Sequence, residues 1–227
     1  MTTALVTGAS SGIGRAIAAD LLAAGWDVTA VSRDPSRGGL QGAHEVAANL
    51  LDEDDAVAAV AAHRDRFGTL DLLVNASGVG FGGPVERYPT KRFDLTFGVN
   101  VRGLFMVTRE ALPLLRATRG RIVNLASIAG LQPEPGLAVY AATKHAVVGL
   151  SRSLSEELFA DGVRVTALCP GFVDTPMTDF IKEQVPAAEM VQVGDCVKAV
   201  RFLLSLSPAV KVPELVLDGP PIPNLAR

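Results

Sequence analysis

Tyr140 and Lys144 stand four residues apart in Val139-Tyr-Ala-Ala-Thr-Lys144, and Ser127 lies thirteen residues upstream of the tyrosine. Positions i and i+4 share one face of a helix, so the spacing predicts a phenol and an ammonium side by side. A neighbouring positive charge favours the phenolate and is expected to lower the phenol's pKa from about 10 toward neutrality. A general acid/base requires that property. On its own Tyr-x-x-x-Lys is an ordinary helix-surface pattern, and its meaning depends on the elements that position it.

A second pattern, Thr7-Gly8-Ala-Ser-Ser-Gly12-Ile-Gly14, falls between an apolar run at Leu5-Val6 and a helical stripe of Ile13, Ile17, Leu21 and Ala24 that Gly25 closes. Gly8 permits a tight turn, Gly12 lets backbone amides approach a pyrophosphate, and Gly14 lets helix and strand pack closely. The unpaired N–H groups at the helix start, around Ser10, Ser11 and Ile13, then face the phosphates. Strand, turn and helix in this order predict a dinucleotide site. The second strand ends in Val31-Ser32-Arg33. An acid there would bind a ribose 2'-OH, whereas arginine accommodates a 2'-phosphate with its planar fork. With the Ser10 and Ser32 hydroxyls nearby, NADP(H) is favoured over NAD(H).

Short β-branched runs recur along the chain. Residues 5–6, 28–31, 46–48, 70–74, 121–125, 164–168 and 215–217 read as seven strands, most of them continuously apolar, as in a sheet covered on both faces. Asp52-Glu-Asp-Asp55 opens a helix whose dipole the acids complement, and longer helices are expected over about 90–115, with Pro113 kinking or shortening its end, and 137–160. The alternation predicts one α/β domain over residues 1–227, doubly wound around a mainly parallel sheet.

The formal net charge is −3 and no long basic run exists, so neither nucleic acid nor an anionic membrane is expected as partner. No stretch approaches the roughly 18 apolar residues that span a bilayer. Residues 1–8 lack a basic region ahead of an apolar one and read as a first strand, not a signal peptide. Cys169 and Cys196 are too few for a disulfide framework or a zinc site and read as small buried hydrophobes. A cytoplasmic location suits these features. His44, His63 and His145 read as surface or packing residues, and Arg15 as a solvated surface residue.

The spacing Gly-x-x-x-Gly-x-Gly with Tyr140-x-x-x-Lys144 resembles the short-chain dehydrogenase/reductase family, over Thr7 to about Gly219. Asn75-Ala76-Ser77-Gly78 stands where the family usually has Asn-Asn-Ala-Gly; Asn100 and Ser127 match its catalytic asparagine and serine, and Pro170-Gly171 its turn after the sixth strand. The resemblance implies a Rossmann-type fold and reversible reduction of a carbonyl by hydride from the nicotinamide. Tyr140 is then the proton donor, Ser127 a donor to the substrate oxygen, Lys144 a partner of the tyrosine and the nicotinamide ribose, and Asn100 the holder of a relay water. The cofactor is expected against Asn49, Leu50, Val173 and Thr175 as well, with Asn49 replacing an aspartate that contacts adenine. The resemblance further implies a mobile substrate segment at about 176–193, read here as an amphipathic lid, and a homodimer or homotetramer built on the two long helices. With Phe81, Gly82 and Leu131, that segment's apolar residues suggest a mainly apolar small-molecule substrate. A cofactor-binding regulator would share the glycine turn but would normally lose Tyr140 or Lys144.

Overall fold

The computed structural model describes residues 2–183 and 185–219. Strand β1 (Thr3–Thr7) feeds helix α1 (Gly12–Ala23), followed by β2 (Asp27–Ser32), β3 (His44–Ala47), α2 (Glu53–Phe67) and β4 (Leu72–Asn75). Then come α3 (Thr90–Phe97), α4 (Leu104–Thr118), β5 (Arg121–Leu125), α5 (Ala138–Glu157), β6 (Arg164–Pro170), α6 (Val193–Ser205) and β7 (Glu214–Leu217). The seven strands form one sheet in the order β3-β2-β1-β4-β5-β6-β7, with every pairing parallel.

Continuous apolarity in the strands has a direct cause, because successive side chains enter opposite layers. Ala4 and Val6 pack with Ile17 and Leu21 of α1 and with Val200 and Leu203 of α6. Leu5, between them, packs with Val60 of α2 and with Val107 and Leu115 of α4. Helix α5 covers the same face farther along, where Val147 and Val148 meet Ala126 and Ala167. Each fully buried Leu, Ile or Val in these layers contributes about 1.5–3 kcal/mol relative to exposure.

Strand β3 begins at His44 rather than Val46, and Leu70 and Asp71 lead into β4 without belonging to it. The single long helix expected over 90–115 is divided: α3 stops at Phe97, Gly98–Gly103 form a wider π turn, and α4 resumes at Leu104. Pro113 does not end α4, which runs on to Thr118 and closes on Arg119 with φ 54°. Helix α6 was not anticipated, although Cys196, Ala199, Val200 and Leu203 carry the i, i+3, i+4, i+7 spacing of a one-sided helix and are all buried. The acids at 52–55 behave as a helix start. Asp52 accepts the Asp54 N–H (3.0 Å), Asp55 accepts that of Asn49 (2.8 Å), and Glu53 pairs with Arg102 and Arg109.

Candidate functional site

Chain order reverses between β1 and β4, and an open parallel sheet offers a crevice beyond the strand ends at such a point. A cleft of about 650 Å³ lies there. At its base Gly8 adopts φ 68°, and a Cβ on it would come within 2.7 Å of the Ala76 carbonyl oxygen. A Cβ on Gly14 would come within 2.6 Å of the Gly8 carbonyl oxygen, so both positions exclude side chains. Thr7 Oγ1 accepts the N–H groups of Ala76 (3.1 Å) and Ser77 (3.2 Å), tying together the loops after β1 and β4. Helix α1 begins after Ser11 with no side-chain cap and no acid in its first turn. Its positive end is thus left to the cleft. A floor without side chains beneath an uncapped helix start fits the pyrophosphate of a dinucleotide.

At one end of the cleft Ser32, Arg33, Asn49 and Leu50 line the wall. Arg33 is exposed, and no carboxylate pairs with it among the described residues. Arg15 is exposed, and its Nε also donates to the Gly38 carbonyl at 2.7 Å, which pins the loop that follows Arg33. Asn49 Oδ1 accepts the Leu51 N–H (3.3 Å), leaving its amide hydrogens available as donors.

At the other end, α5 presents Tyr140 and Lys144, and the segment after β5 presents Ser127. The Lys144 ammonium donates to the Leu125 carbonyl at 2.7 Å and lies 5.6 Å from the Tyr140 ring centre. Burial pulls the Lys144 pKa down to about 8. Burial also pushes Tyr140 up to about 12, opposed by the Ser127 hydroxyl. The expectation of a tyrosine acidified by Lys144 is therefore not met in the protein alone. Desolvation is the largest cause, and the Lys144 ammonium is engaged by the Leu125 carbonyl. Ser127 Oγ accepts the Ala129 N–H at 3.2 Å, which fixes its position at the start of a short turn.

Of the residues expected at the site, Gly8, Ser10, Ser11, Gly12, Ile13, Gly14, Ser32, Arg33, Asn49, Leu50, Ala76, Ser77, Gly78, Ser127, Tyr140, Lys144, Pro170, Gly171, Val173 and Thr175 all line this one cleft. Asn75 and Asn100 lie behind it. The Asn75 amide donates to Thr108 Oγ1 (3.0 Å) and Asn124 Oδ1 (2.9 Å), so it joins β4 to α4 and β5 rather than facing a ligand. Asn100 sits in the π turn, a widening often found at functional sites. Its side chain accepts the Val79 N–H (2.8 Å) and donates to the Val79 carbonyl (2.9 Å) and to Thr143 Oγ1 (3.0 Å). Those bonds occupy both amide hydrogens, so the side chain clamps the loop after β4. Sequence spacing singled out none of Thr143, Arg92 and Glu134, the last two of which line the cleft. Thr143 adjoins Lys144 in the chain, but only the fold brings it to Asn100.

The segment expected as an amphipathic lid contains two short turns, Pro176–Ile181 and Ala187–Glu189. Met177 and Phe180 are exposed and line the cleft, while Ile181, Val185 and Met190 form a small cluster with Phe172. Lys182 holds the first turn through Asp174 (2.8 Å) and Asp179 (2.7 Å). Of the residues thought to mark an apolar pocket, Phe81 and Gly82 line the cleft, and Leu131 packs instead against the α5 cluster. Among the described residues no group of three or more His, Cys, Asp or Glu side chains is placed to hold a metal, and no helix is long and apolar enough to cross a membrane.

Residues 2–186 match the family model described as short chain dehydrogenase. The chain is 36% identical to 2-(R)-hydroxypropyl-CoM dehydrogenase of Xanthobacter autotrophicus, with 95% of this chain and 96% of that protein covered. It is 35% identical to a 3-oxoacyl-[acyl-carrier-protein] reductase of Staphylococcus aureus, covering 89% and 90% of the two chains. Among solved structures, 3-ketoacyl-(acyl-carrier-protein) reductase from Brucella melitensis complexed with NADH superposes with a TM-score of 0.87 at 33% identity, covering 96% of each chain. A variant of the actinorhodin polyketide ketoreductase with NADPH gives a TM-score of 0.87 at 30% identity, covering 96% of this chain and 95% of that one.

Proposed function

The chain belongs to the short-chain dehydrogenase/reductase family, and from that premise we propose that it interconverts a ketone or aldehyde and its alcohol using NADP(H) in preference to NAD(H). Oxidoreduction between carbonyl and CH–OH is the chemistry of the family and of its named relatives. One observation carries the assignment of residues: Ser127, Tyr140 and Lys144 share a single cleft with the side-chain-free turn Gly8–Gly14.

When bound, the nicotinamide supplies or accepts the hydride. The Tyr140 hydroxyl gives its proton to the carbonyl oxygen in reduction and takes one back in oxidation. Ser127 donates to the same oxygen and stabilises its developing charge. Lys144 contributes a buried ammonium that can exchange the Leu125 carbonyl for a ribose hydroxyl, and Asn100 holds the loop of Val79 against α5.

Arg33 supports the NADP(H) preference, being an exposed guanidinium with no described carboxylate partner at the wall that Ser32 and Asn49 share. We further read residues 1–227 as one domain acting on a small molecule in the cytoplasm as a homodimer or homotetramer. A panel of ketones and aldehydes assayed with NADPH and with NADH tests the reading. Turnover with at least tenfold preference for NADPH is expected. Cofactor binding without turnover of any member would replace the enzyme with a cofactor-binding regulator.

A further inference from the structure

Among the described residues that line the cleft, four carry charged side chains: Arg33, Arg92, Glu134 and Lys144. Arg33 and Lys144 serve the nucleotide and the reacting centre in the reading above. Arg92 serves neither. It is the third residue of α3, and α3 begins after Pro89 with no side-chain cap and no acid in its first turn. A cation at the positive end of a helix is disfavoured by about 0.3–1 kcal/mol. No carboxylate pairs with it among the described residues to offset that cost. Instead its guanidinium carbon lies 5.2 Å from the centre of the Phe81 ring, which lines the same cleft. With no carboxylate partner among the described residues, its N–H fork is free to meet a carboxylate bidentately.

We propose that Arg92 receives the anionic end of the substrate, so that the natural substrate is an oxo acid (or the corresponding hydroxy acid) with an apolar spacer between carbonyl and carboxylate. The inference rests on the proposed reaction. The apolar faces of Phe81, Leu137 and Met177 along the cleft suit such a spacer. Glu134, on the same lining, opposes an anion and sets the strength of the preference.

The test uses oxo-carboxylates whose ketone stands two to five carbons from the carboxylate, with the methyl ester of each, and NADPH. Wild type is expected to show a lower KM for at least one acid than for its ester. Arg92→Ala should raise that KM tenfold or more with little change in kcat, Arg92→Lys should recover part of it, and Glu134→Gln should lower it. The ester's KM should move by less than twofold in all three variants. Equal effects on acid and ester, or no preference for any acid, overturn the proposal. Turnover of other carbonyls but of none of these also overturns it. If wild type turns over neither these carbonyls nor any ketone or aldehyde of the wider panel, the proposed reaction fails instead, and the anion site is then read by quenching of bound NADPH fluorescence. Tighter binding of acid than ester, abolished in Arg92→Ala, sustains the site, and equal binding ends it.

Discussion

Lys144 donates its ammonium to the Leu125 carbonyl at 2.7 Å, so the end of β5 and the middle of α5 are joined by a buried charge. Burial of the phenol accounts for its raised pKa despite the one-turn spacing of Tyr140 and Lys144. The bond to Leu125 makes the ammonium a group whose cost and use can be measured.

The protein has two tyrosines, Tyr88 and Tyr140, so Tyr88→Phe leaves Tyr140 as the sole phenol. Ultraviolet titration of that variant without cofactor should show no ionisation before the pH approaches 12, against about 10 for the unfolded chain. Ionisation near 8 in the folded, cofactor-free protein would refute the burial account. Tyr140→Phe should cut turnover by about a hundredfold or more, as loss of a general acid does. Its affinity for cofactor should stay within a few-fold.

Lys144 titrates at about 8 when folded and at 10.5 in its ordinary environment. The native state therefore binds fewer protons than the unfolded state between those values, and stability rises with pH across the window. The unfolding free energy of wild type minus that of Lys144→Met should rise by up to roughly 3 kcal/mol between pH 8 and 10.5. Denaturant melts of both proteins at each pH check it, and a flat difference contradicts it.

Thr143 Oγ1 accepts from Asn100 at 3.0 Å and donates to the Tyr140 carbonyl at 2.7 Å. Thr143→Val keeps the shape and strands the Asn100 amide, which should cost about 1–3 kcal/mol of stability. Because the clamp positions the loop after β4, kcat should fall about tenfold with altered pH dependence, and Thr143→Ser should restore both; unchanged kcat would make the contact purely structural.

His63 is fully buried, with Nδ1 2.7 Å from Thr29 Oγ1 and Nε2 2.8 Å from the Thr69 carbonyl. Desolvation holds its pKa below the ordinary 6.5, the neighbouring His44 adds to this, and the Thr69 carbonyl and Asp71 oppose it. The native state then binds fewer protons than the unfolded one, so stability contributed by neutral His63 is lost as pH falls below 6.5. His63→Gln should melt earlier at pH 7.5 yet lose less stability than wild type on acidification to pH 5. Thermal unfolding at both pH values reads this directly.

Arg33→Ala should raise the KM for NADPH about tenfold, the loss of a charge-assisted contact, and leave that for NADH nearly unchanged. Equal effects on the two cofactors would mean that Arg33 does not meet the 2'-phosphate.

Much of the architecture was legible in the chain because its signals are local. Apolar runs mark the strands, and the strand-turn-helix setting of Gly8, Gly12 and Gly14 makes the nucleotide turn readable. The i, i+4 spacing placed Tyr140 and Lys144 on one helix. Helix α6 is also written locally, in the spacing of Cys196, Ala199, Val200 and Leu203. Other features had no local signature. The π turn at Gly98–Gly103 is invisible to a 3.6-residue pattern, and it decides that Asn100 meets Thr143 and Val79 rather than solvent. Arg92 and Glu134 carry no motif that marks them, and only the fold puts them on the cleft. Sequence alone determined which chemical groups exist and how they are spaced along each element. Tertiary structure decided their ionisation and their partners, because desolvation and hydrogen bonding depend on neighbours that arrive from distant parts of the chain.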